Sequence, residues 1–258
     1  MTIDYRTQTV LITGASSGIG AEFARRFAAR GAGVVLVARR LDRLEKLAAE
    51  LTDRHGVRAV PLAADLTTPG VGALLDKELT RRGIEITAIV NNAGFATHGP
   101  FHEENPDRLA AEIAVDVTSV VDISRTFIER LRRRGDGFLL NVASMAAYQG
   151  NPTMAVYGAT KAFVHQFSQN LRSDLLGTPV RVTVVEPGMA ETEFSLVRFG
   201  GDAAKARNVY EGVEPLQPGD VADVVLWCLT RPAHVNVNVV EVMPVQQAFG
   251  PFAVNRKA

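Results

Sequence analysis

The chain has 258 residues, of which 47% are hydrophobic, and this length is enough for one sizeable core. Its 28 Lys and Arg residues balance 28 Asp and Glu residues, which argues against a general nucleic-acid binder or a membrane-surface binder, because both carry a basic excess. The single cysteine, Cys228, excludes an internal disulfide framework and a cysteine-cluster metal site, so we expect no metal. The polar start at residues 1–9 and the lack of a long uncharged apolar run predict a cytoplasmic protein without a signal peptide or membrane span.

Short apolar runs alternate with amphipathic stretches along the whole chain. Apolar runs rich in Val, Ile and Leu predict strands at residues 9–12, 34–37, 58–62, 87–90, 138–142, 180–185 and 238–242. Apolar residues at helical spacing predict helices at residues 19–30, 41–52, 71–79, 106–131, 153–176 and 219–229.

Strands of this kind are buried on both faces, and strand–helix alternation produces a parallel sheet with right-handed crossovers. We therefore predict an α/β fold, a doubly wound parallel seven-stranded sheet of the Rossmann type with helices on both faces, as one domain over residues 1–258. Two segments lie outside the repeating pattern: a predicted lid over the active site, at about residues 189–217, and a C-terminal tail at residues 243–258. The active site is expected beyond the carboxyl ends of the strands.

A glycine-rich turn follows the first strand directly and opens the first helix. Glycines allow a sharp turn and a close approach of the backbone to a phosphate, and the helix N-terminus offers N–H groups to that anion. An isolated glycine-rich motif could also be an ordinary strand–helix turn. This one follows the first strand of a series of strand–helix units, and that position favours a dinucleotide site. The predicted contacts to the cofactor in this turn are Gly14, Ser16, Ser17, Gly18, Ile19 and Gly20.

The end of the second strand carries Ala38, Arg39 and Arg40, where an NAD site normally has an acidic residue that binds the adenosine ribose. Guanidinium groups in this position can bind a 2′-phosphate, so NADP is predicted rather than NAD. A solvated basic start of the next helix is the alternative for both arginines. Asp65 and Leu66 follow the third strand and are predicted cofactor contacts. Asp65 either accepts a hydrogen bond from adenine or caps the next helix.

The fourth strand ends in Asn91, Asn92, Ala93 and Gly94. Two amides followed by a small residue and a glycine suit a backbone that lies against a ligand, and a plain turn is the alternative. We include Asn92, Ala93 and Gly94 among the predicted cofactor contacts.

Tyr157 and Lys161 are four residues apart and therefore lie on one face of a helix. Reduction of a carbonyl needs a proton donor for the developing alkoxide, and a free Tyr with a pKa of about 10 releases its proton too reluctantly. The ammonium of Lys161 is expected to lower the pKa of Tyr157, and the Ser144 hydroxyl, at the end of the fifth strand, can polarise the substrate carbonyl. An isolated Tyr–Lys pair is usually an ordinary surface pair, but the surrounding motifs favour catalysis.

Together these motifs resemble the short-chain dehydrogenase/reductase family, along with Pro187, Gly188 and Thr192. The resemblance implies NAD(P)-dependent interconversion of an alcohol and a carbonyl, with a homotetramer or homodimer as the assembly. It implies that Tyr157 is the acid/base, that Ser144 orients the substrate and that Lys161 also binds the nicotinamide ribose. Pro187, Gly188 and Thr192 would hold the carboxamide.

One position departs from that family: Asp116 stands where an Asn usually supports a proton relay to the Lys. A carboxylate has no amide donor. Its charge is expected to stabilise the Lys161 ammonium and to raise the pKa of Tyr157. The relay is expected to persist if it uses the backbone carbonyl of Asp116.

Residues 156–255 show a narrower resemblance, to the NADP-dependent 3-hydroxy acid dehydrogenases, also described as serine or allo-threonine dehydrogenases. A small hydroxy acid needs a cation for its carboxylate, and Arg198 in the predicted lid is the candidate, with a salt bridge in the lid as the alternative. Apolar residues either form a substrate wall or pack the lid: Met145, Met154, Phe194 and Phe199. The alternatives in function are a ketone or 3-oxoacyl reductase for bulkier substrates and an NADP-sensing protein without chemistry.

Overall fold

In the computed structural model, which describes residues 3–249, the strands form one sheet in which every strand pair is parallel. The strands are β1 (Thr9–Thr13), β2 (Gly33–Ala38), β3 (Ala59–Ala63), β4 (Ala88–Asn91), β5 (Phe138–Val142), β6 (Arg181–Pro187) and β7 (Val239–Val242). The predicted seven-stranded sheet is confirmed over these residues, and no predicted strand end is more than two residues from the observed one.

The helices connect successive strands. They are α1 (Gly18–Ala28), α2 (Leu41–His55), α3 (Val71–Arg81), α4 (Pro106–Ile113), α5 (Ser119–Arg134), α6 (Ala155–Asp174), α7 (Glu193–Arg198), α8 (Ala203–Asn208) and α9 (Pro218–Leu229). The predicted lid contains α7 and α8. The predicted tail is described as far as residue 249, and residues 250–258 lie outside the described part.

Alternating strand residues divide the apolar core into two layers. Val10 and Ile12 belong to the layer that contains α1, α2 and α9, whereas Leu11 belongs to the layer that contains α3 and α5. Because successive side chains of a strand point to opposite faces, this division shows that helices cover both faces of the sheet.

The strand order is β3-β2-β1-β4-β5-β6-β7. Strands β2 and β3 are added on one side of β1, and strands β4 to β7 are added on the other side, so the strand order reverses between β1 and β4. A crevice forms at such a switch point, outside the carboxyl ends of the two strands. Thr13 and Asn91 end these strands, and the glycine-rich turn and the segment from Asn92 to Gly94 therefore face the same crevice.

Two predicted helices differ from the structure. The predicted long helical region over residues 106–131 is observed, but a π-helical stretch, Ala114–Thr118, divides it into α4 and α5. Such a short insertion leaves the apolar spacing nearly unchanged, so it gives no sequence signal. The predicted start at residue 153 is wrong, because Thr153 has a left-handed φ of 65° and α6 begins at Ala155. Within residues 3–249 no helix is both long and apolar enough to cross a membrane.

Candidate active site

A cavity of about 650 Å³ lies beyond the carboxyl ends of the strands. It brings together almost all of the residues that the sequence analysis singles out. Its walls include Gly14, Ser16, Ser17, Gly18, Ile19, Arg39, Arg40, Asp65, Leu66, Asn92, Ala93, Gly94, Ser144, Met145, Met154, Tyr157, Lys161, Pro187, Gly188, Thr192, Phe194, Arg198 and Phe199. Gly20 and Asp116 lie behind this surface.

The glycine-rich turn is packed too tightly for side chains at two of its glycines. A Cβ atom on Gly14 would lie 2.8 Å from Asn92 Nδ2 and 2.9 Å from Ala93 Cα, and one on Gly20 would lie 2.5 Å from the Gly14 carbonyl oxygen. Gly14 also has a φ of 68°, which glycine adopts without strain. Asn92 fixes the turn from the other side, because its Nδ2 donates to the Thr13 carbonyl at 2.9 Å.

The N-terminus of α1 is open to an anion. Among the described residues, the N-cap residue Ser17 makes no side-chain capping hydrogen bond, so its hydroxyl leaves the first N–H groups of α1 uncapped. An uncapped helix start beside a glycine turn without Cβ atoms fits the pyrophosphate of a dinucleotide. These residues therefore fit the predicted cofactor.

The two arginines after β2 differ in their contacts. Within residues 3–249, the exposed guanidinium of Arg39 forms no hydrogen bond or ion pair. Arg40 contacts the hydroxyls of Ser16 and Ser17 and pairs with Glu193. Both arginines line the cavity beside the turn, where a 2′-phosphate would lie.

Asp65 does not cap the next helix. Its Oδ1 accepts hydrogen bonds from the backbone N–H and the hydroxyl of Thr67, at 3.0 and 2.8 Å, while the N-cap of α3 is Gly70. The capping alternative is therefore wrong. These two hydrogen bonds lower the pKa of Asp65, so it lines the cavity as an anion.

Ser144, Tyr157 and Lys161 meet at the cavity floor. Ser144 begins the short 3-10 turn after β5 and accepts a hydrogen bond from the Ala146 N–H at 3.1 Å. Tyr157 and Lys161 lie on the inner face of α6, and both are buried. The Lys161 ammonium lies 5.5 Å from the centre of the Tyr157 ring and donates to the Val142 carbonyl at 3.3 Å. The predicted catalytic side chains are thus held by β5 and α6 in one place.

Asp116 provides the counter-ion of Lys161. The carboxylate is completely buried in the π-helical stretch, with Oδ2 3.0 Å from Lys161 Nζ and Oδ1 accepting from the Phe95 N–H at 3.1 Å. Gly94 permits this approach, because a Cβ atom there would lie 3.0 Å from Lys161 Nζ and 3.1 Å from Asp116 Oδ2. We assign opposite charges to the two groups, since attraction at this distance offsets part of the cost of their burial.

The pKa of Tyr157 is raised above its ordinary value, although Lys161 lowers it and Asp116 raises it as expected. Burial is the largest cause of the increase, and the negative charge of Asp116 adds to it. Lys161 acts in the expected direction and lowers the pKa, as do a hydrogen bond to Ser144 and the charge of Arg198. Sequence spacing predicts the neighbours of Tyr157 but not how thoroughly the fold excludes water from its hydroxyl.

Arg198 extends from the end of α7 into the other side of the cavity. Its Nη1 lies 3.7 Å from Met154 Sδ, and its guanidinium lies 4.6 Å from the centre of the Phe199 ring. Its buried Nε has no hydrogen-bond partner, and Arg198 has no acidic partner within ion-pair distance anywhere in residues 3–249. Burial lowers the pKa of Arg198. The predicted salt-bridge alternative is therefore wrong for the described residues.

Apolar groups close this side of the cavity. The Phe194 ring lies 5.4 Å from the Tyr157 ring, measured between centroids, and Met145 is buried beside Ser144. Phe194 also packs with Met154 against the cluster around Tyr157. The two predicted alternatives for these residues thus coincide, since the same side chains pack the predicted lid and line the cavity.

Several wall residues were not predicted from sequence, among them Tyr210 and Gln247. Tyr210 follows α8, and its hydroxyl lies 2.7 Å from Ser195 Oγ and donates to the Ala190 carbonyl at 3.0 Å. Gln247 belongs to the predicted tail, and its Oε1 accepts from the Met189 N–H at 2.7 Å. Neither has a neighbouring motif in the sequence, and only contacts between distant parts of the chain bring them to the cavity.

Comparison with known proteins agrees with this geometry. The family model described as short chain dehydrogenase matches residues 8–198. Sulfoacetaldehyde reductase 2 of Chromohalobacter salexigens is 44% identical over 250 residues, which are 96% of this chain and 98% of that protein. The NADP-dependent 3-hydroxy acid dehydrogenase YdfG of Salmonella typhi is 40% identical over 249 residues, which are 96% of this chain and 99% of that protein.

A solved structure extends the match to three dimensions. The closed form of a serine dehydrogenase complexed with NADP⁺ superimposes with a TM-score of 0.87 at 38% identity, covering 97% of this chain and all of the other. The match spans the sheet, the glycine-rich turn and the predicted lid, and the family model itself includes Ser144, Tyr157 and Lys161. The predicted resemblance is confirmed, and the chain belongs to the short-chain dehydrogenase family.

Proposed function

We propose that this protein is an NADP(H)-dependent oxidoreductase that interconverts the alcohol and carbonyl forms of a small acidic compound. The observation that carries the substrate class is Arg198, a cation that faces the proposed catalytic Tyr157 without an acidic partner in the described chain. A partly buried guanidinium without an anion is costly, so a substrate acid group would complete the cavity.

NADP as the cofactor is supported from two sides. Relatives are named NADP-dependent, and the serine dehydrogenase was solved with NADP⁺. In this chain Arg39 is unpaired among the described residues and lies beside the glycine-rich turn, as a 2′-phosphate requires. When bound, NADPH supplies the hydride for carbonyl reduction.

The residues of this chain then handle the oxygen of the substrate and its proton. The Ser144 hydroxyl donates a hydrogen bond to the carbonyl oxygen, and the Tyr157 phenol donates its proton to the same oxygen as negative charge develops there. The Lys161 ammonium stabilises the phenolate that remains, and Asp116 keeps Lys161 charged and oriented. In alcohol oxidation the same groups act in reverse.

The names of the relatives share a chemical pattern. Sulfoacetaldehyde, serine and a 3-hydroxy acid each place an acid group one carbon away from the carbon that carries the reacting oxygen. In this chain Arg198 is close enough to Tyr157 for each group to shift the pKa of the other. We propose that Arg198 binds the sulfonate or carboxylate while Tyr157 reaches the oxygen, which orients the compound for reaction.

We further propose that residues 189–217 act as the lid, because α7 supplies both Phe194 and Arg198 to the cavity.

The assembly is proposed to be a homotetramer or homodimer, by analogy with the family. The location is proposed to be cytoplasmic, consistent with Cys228 as a buried free thiol. We also propose that the C-terminal tail at residues 243–258 packs against a neighbouring subunit, although Gln247 within it contacts Met189 of its own chain.

The deciding experiment measures kcat/KM with NADPH or NADP for a panel of substrates. The panel holds sulfoacetaldehyde, serine and 3-hydroxypropanoate, together with neutral β-ketoesters and aryl ketones. For Arg198→Ala we expect kcat/KM to fall roughly 10- to 100-fold on the acids, as the loss of a charge-assisted contact predicts, and to change little on the ketones.

The matched control is Arg207→Ala, which removes an exposed arginine from α8 in the same segment. Turnover of hydrophobic ketones alone would favour the bulkier-substrate reductase and contradict the acid assignment. An equal loss on acids and ketones in Arg198→Ala would also contradict it.

A further inference from the structure

A pair of salt bridges connects the two sides of the cavity mouth. Glu193, in the first turn of α7, places Oε2 2.8 Å from Arg40 Nη1 and Oε1 2.7 Å from Arg43 Nη1. Arg40 is the N-cap residue of α2 and Arg43 lies in its first turn. The predicted lid is thereby joined to the arginine segment that follows β2.

The donors of Arg40 are almost all occupied. Its Nε and Nη2 donate to Ser16 Oγ at 3.2 and 2.9 Å, and Nη2 also donates to Ser17 Oγ at 2.9 Å. Nη1 donates to Glu193. A guanidinium has five N–H donors, and the side of Arg40 that the two serines leave open already contacts Glu193. A phosphate that binds this side of Arg40 must therefore share the guanidinium with Glu193 or displace Glu193.

Glu193 occupies its two arginines in the way a phosphate would. Each carboxylate oxygen takes one guanidinium, which is the arrangement that two phosphate oxygens adopt between two arginines. These two arginines lower the pKa of Glu193 to about 2, so the carboxylate is negative at physiological pH. Among the described residues Arg39, by contrast, has no such partner.

We propose that Glu193 is a cofactor-specificity residue that stands in for the 2′-phosphate of NADP and competes with it for Arg40 and Arg43. This inference rests on the NADP assignment above. A 2′-phosphate carries about two negative charges and can displace a single carboxylate from partly exposed arginines, whose ion pairs contribute little to stability. NAD has no group that displaces Glu193.

The position of Glu193 links this competition to the substrate side. Its neighbour Phe194 packs on Tyr157, and Arg198 ends the same short helix. Release of Glu193 by the phosphate therefore frees the first turn of α7 only when the phosphorylated cofactor is present. With NAD, the first turn of α7 stays tied to α2.

The test measures ligand binding by calorimetry, without turnover, for wild type and Glu193→Gln. The probes are adenosine 2′,5′-bisphosphate and adenosine 5′-monophosphate, followed by NADP and NAD. We expect the variant to bind the two 2′-phosphorylated ligands roughly threefold to tenfold more tightly, and the other two as wild type does. Unchanged or weaker binding of the bisphosphate, or an equal gain for the monophosphate, would overturn the proposal.

Two controls define the cause. Glu191→Gln removes the same charge two residues earlier, where the side chain contacts Gln217 rather than Arg40 or Arg43, and should leave all four affinities unchanged. In an Arg40→Ala, Arg43→Ala background, Glu193→Gln should have no further effect. A gain in Glu191→Gln, or a gain that persists without the arginines, would count against direct competition.

Binding of the two adenosine ligands to wild type distinguishes a failure of the Glu193 proposal from a failure of the NADP assignment. If wild type binds the bisphosphate no better than the monophosphate, the NADP assignment fails. If it prefers the bisphosphate and Glu193→Gln does not increase that preference, only the role of Glu193 fails.

Discussion

Lys161 and Asp116 form a buried ion pair beside Tyr157, with Lys161 Nζ 3.0 Å from Asp116 Oδ2. Lys161 lowers the pKa of Tyr157 and Asp116 raises it, so the pair sets the acidity of the phenol from both directions. The Asn that the family usually has at position 116 would be neutral, whereas the Asp116 carboxylate carries a negative charge.

Asp116→Asn should therefore lower the pKa of Tyr157. Alcohol oxidation needs the phenolate as proton acceptor, so its rate rises as the pH passes through that pKa, and in the variant the rise should occur at lower pH. The measurement is the pH profile of kcat/KM for oxidation, with Asp53→Asn as a control on the exposed side of α2. An unmoved profile, or one moved to higher pH, would contradict the electrostatic role of Asp116. Removing one member of a buried pair should also cost up to about 3–5 kcal/mol of stability.

Tyr157→Phe should retain the fold and the cofactor affinity but lose turnover by roughly 10²- to 10⁴-fold, because the phenol is the proposed proton donor. NADPH absorbance measures turnover, and calorimetry measures binding. Turnover that is present in wild type and lost in this variant also separates an enzyme from a cofactor sensor, since a sensor would have no turnover in either protein. Full activity in the variant would refute the mechanism.

Arg39→Ala should weaken NADP binding roughly 10- to 100-fold and leave NAD binding nearly unchanged, because a guanidinium–phosphate contact is charge-assisted. The side chain is exposed, so its removal should not disturb folding. Arg54→Ala, which removes another exposed arginine from the last turn of α2, is the control. Equal weakening of both cofactors would show that Arg39 does not contact the 2′-phosphate.

Glu112→Gln should alter the pH dependence of stability. Glu112 is fully buried in α4, accepts from the Thr97 N–H at 2.9 Å and leaves Oε1 without a partner in the described chain. Burial, with Asp116 and Glu104 nearby, raises the pKa of Glu112. A raised folded-state pKa stabilises the protein at low pH, and this contribution is lost as the pH rises through that pKa.

The Gln side chain does not ionise, so the Tm of the variant relative to wild type should increase as the pH rises above the ordinary Glu pKa of about 4.3. Each kcal/mol corresponds to roughly 2–4 °C for a chain of this size. Glu45→Gln, an exposed change on α2, should show a constant difference. A Tm difference for Glu112→Gln that does not vary with pH would mean that Glu112 titrates normally.

Local patterns were enough to predict the sheet and most of the cavity. Strand interiors are continuous apolar runs, and the motif residues follow strand ends, which a parallel sheet must bring to one edge. The π-helical stretch at Ala114–Thr118 and the left-handed Thr153 were missed, because neither changes the apolar spacing. Tyr210, Gln247 and the salt bridges of Glu193 depend on contacts between distant segments, for which a single sequence has no periodic signal.

Gln247 gives the site an order of assembly. Its side chain contacts the backbone of Met189, 58 residues earlier, and it closes the wall beside Gly188. A nascent chain that has released the glycine-rich turn, Tyr157 and Lys161 from the ribosome still lacks this part of the cavity. Cofactor binding can therefore stabilise the complete wall only after β7 and the residues that follow it have been synthesised.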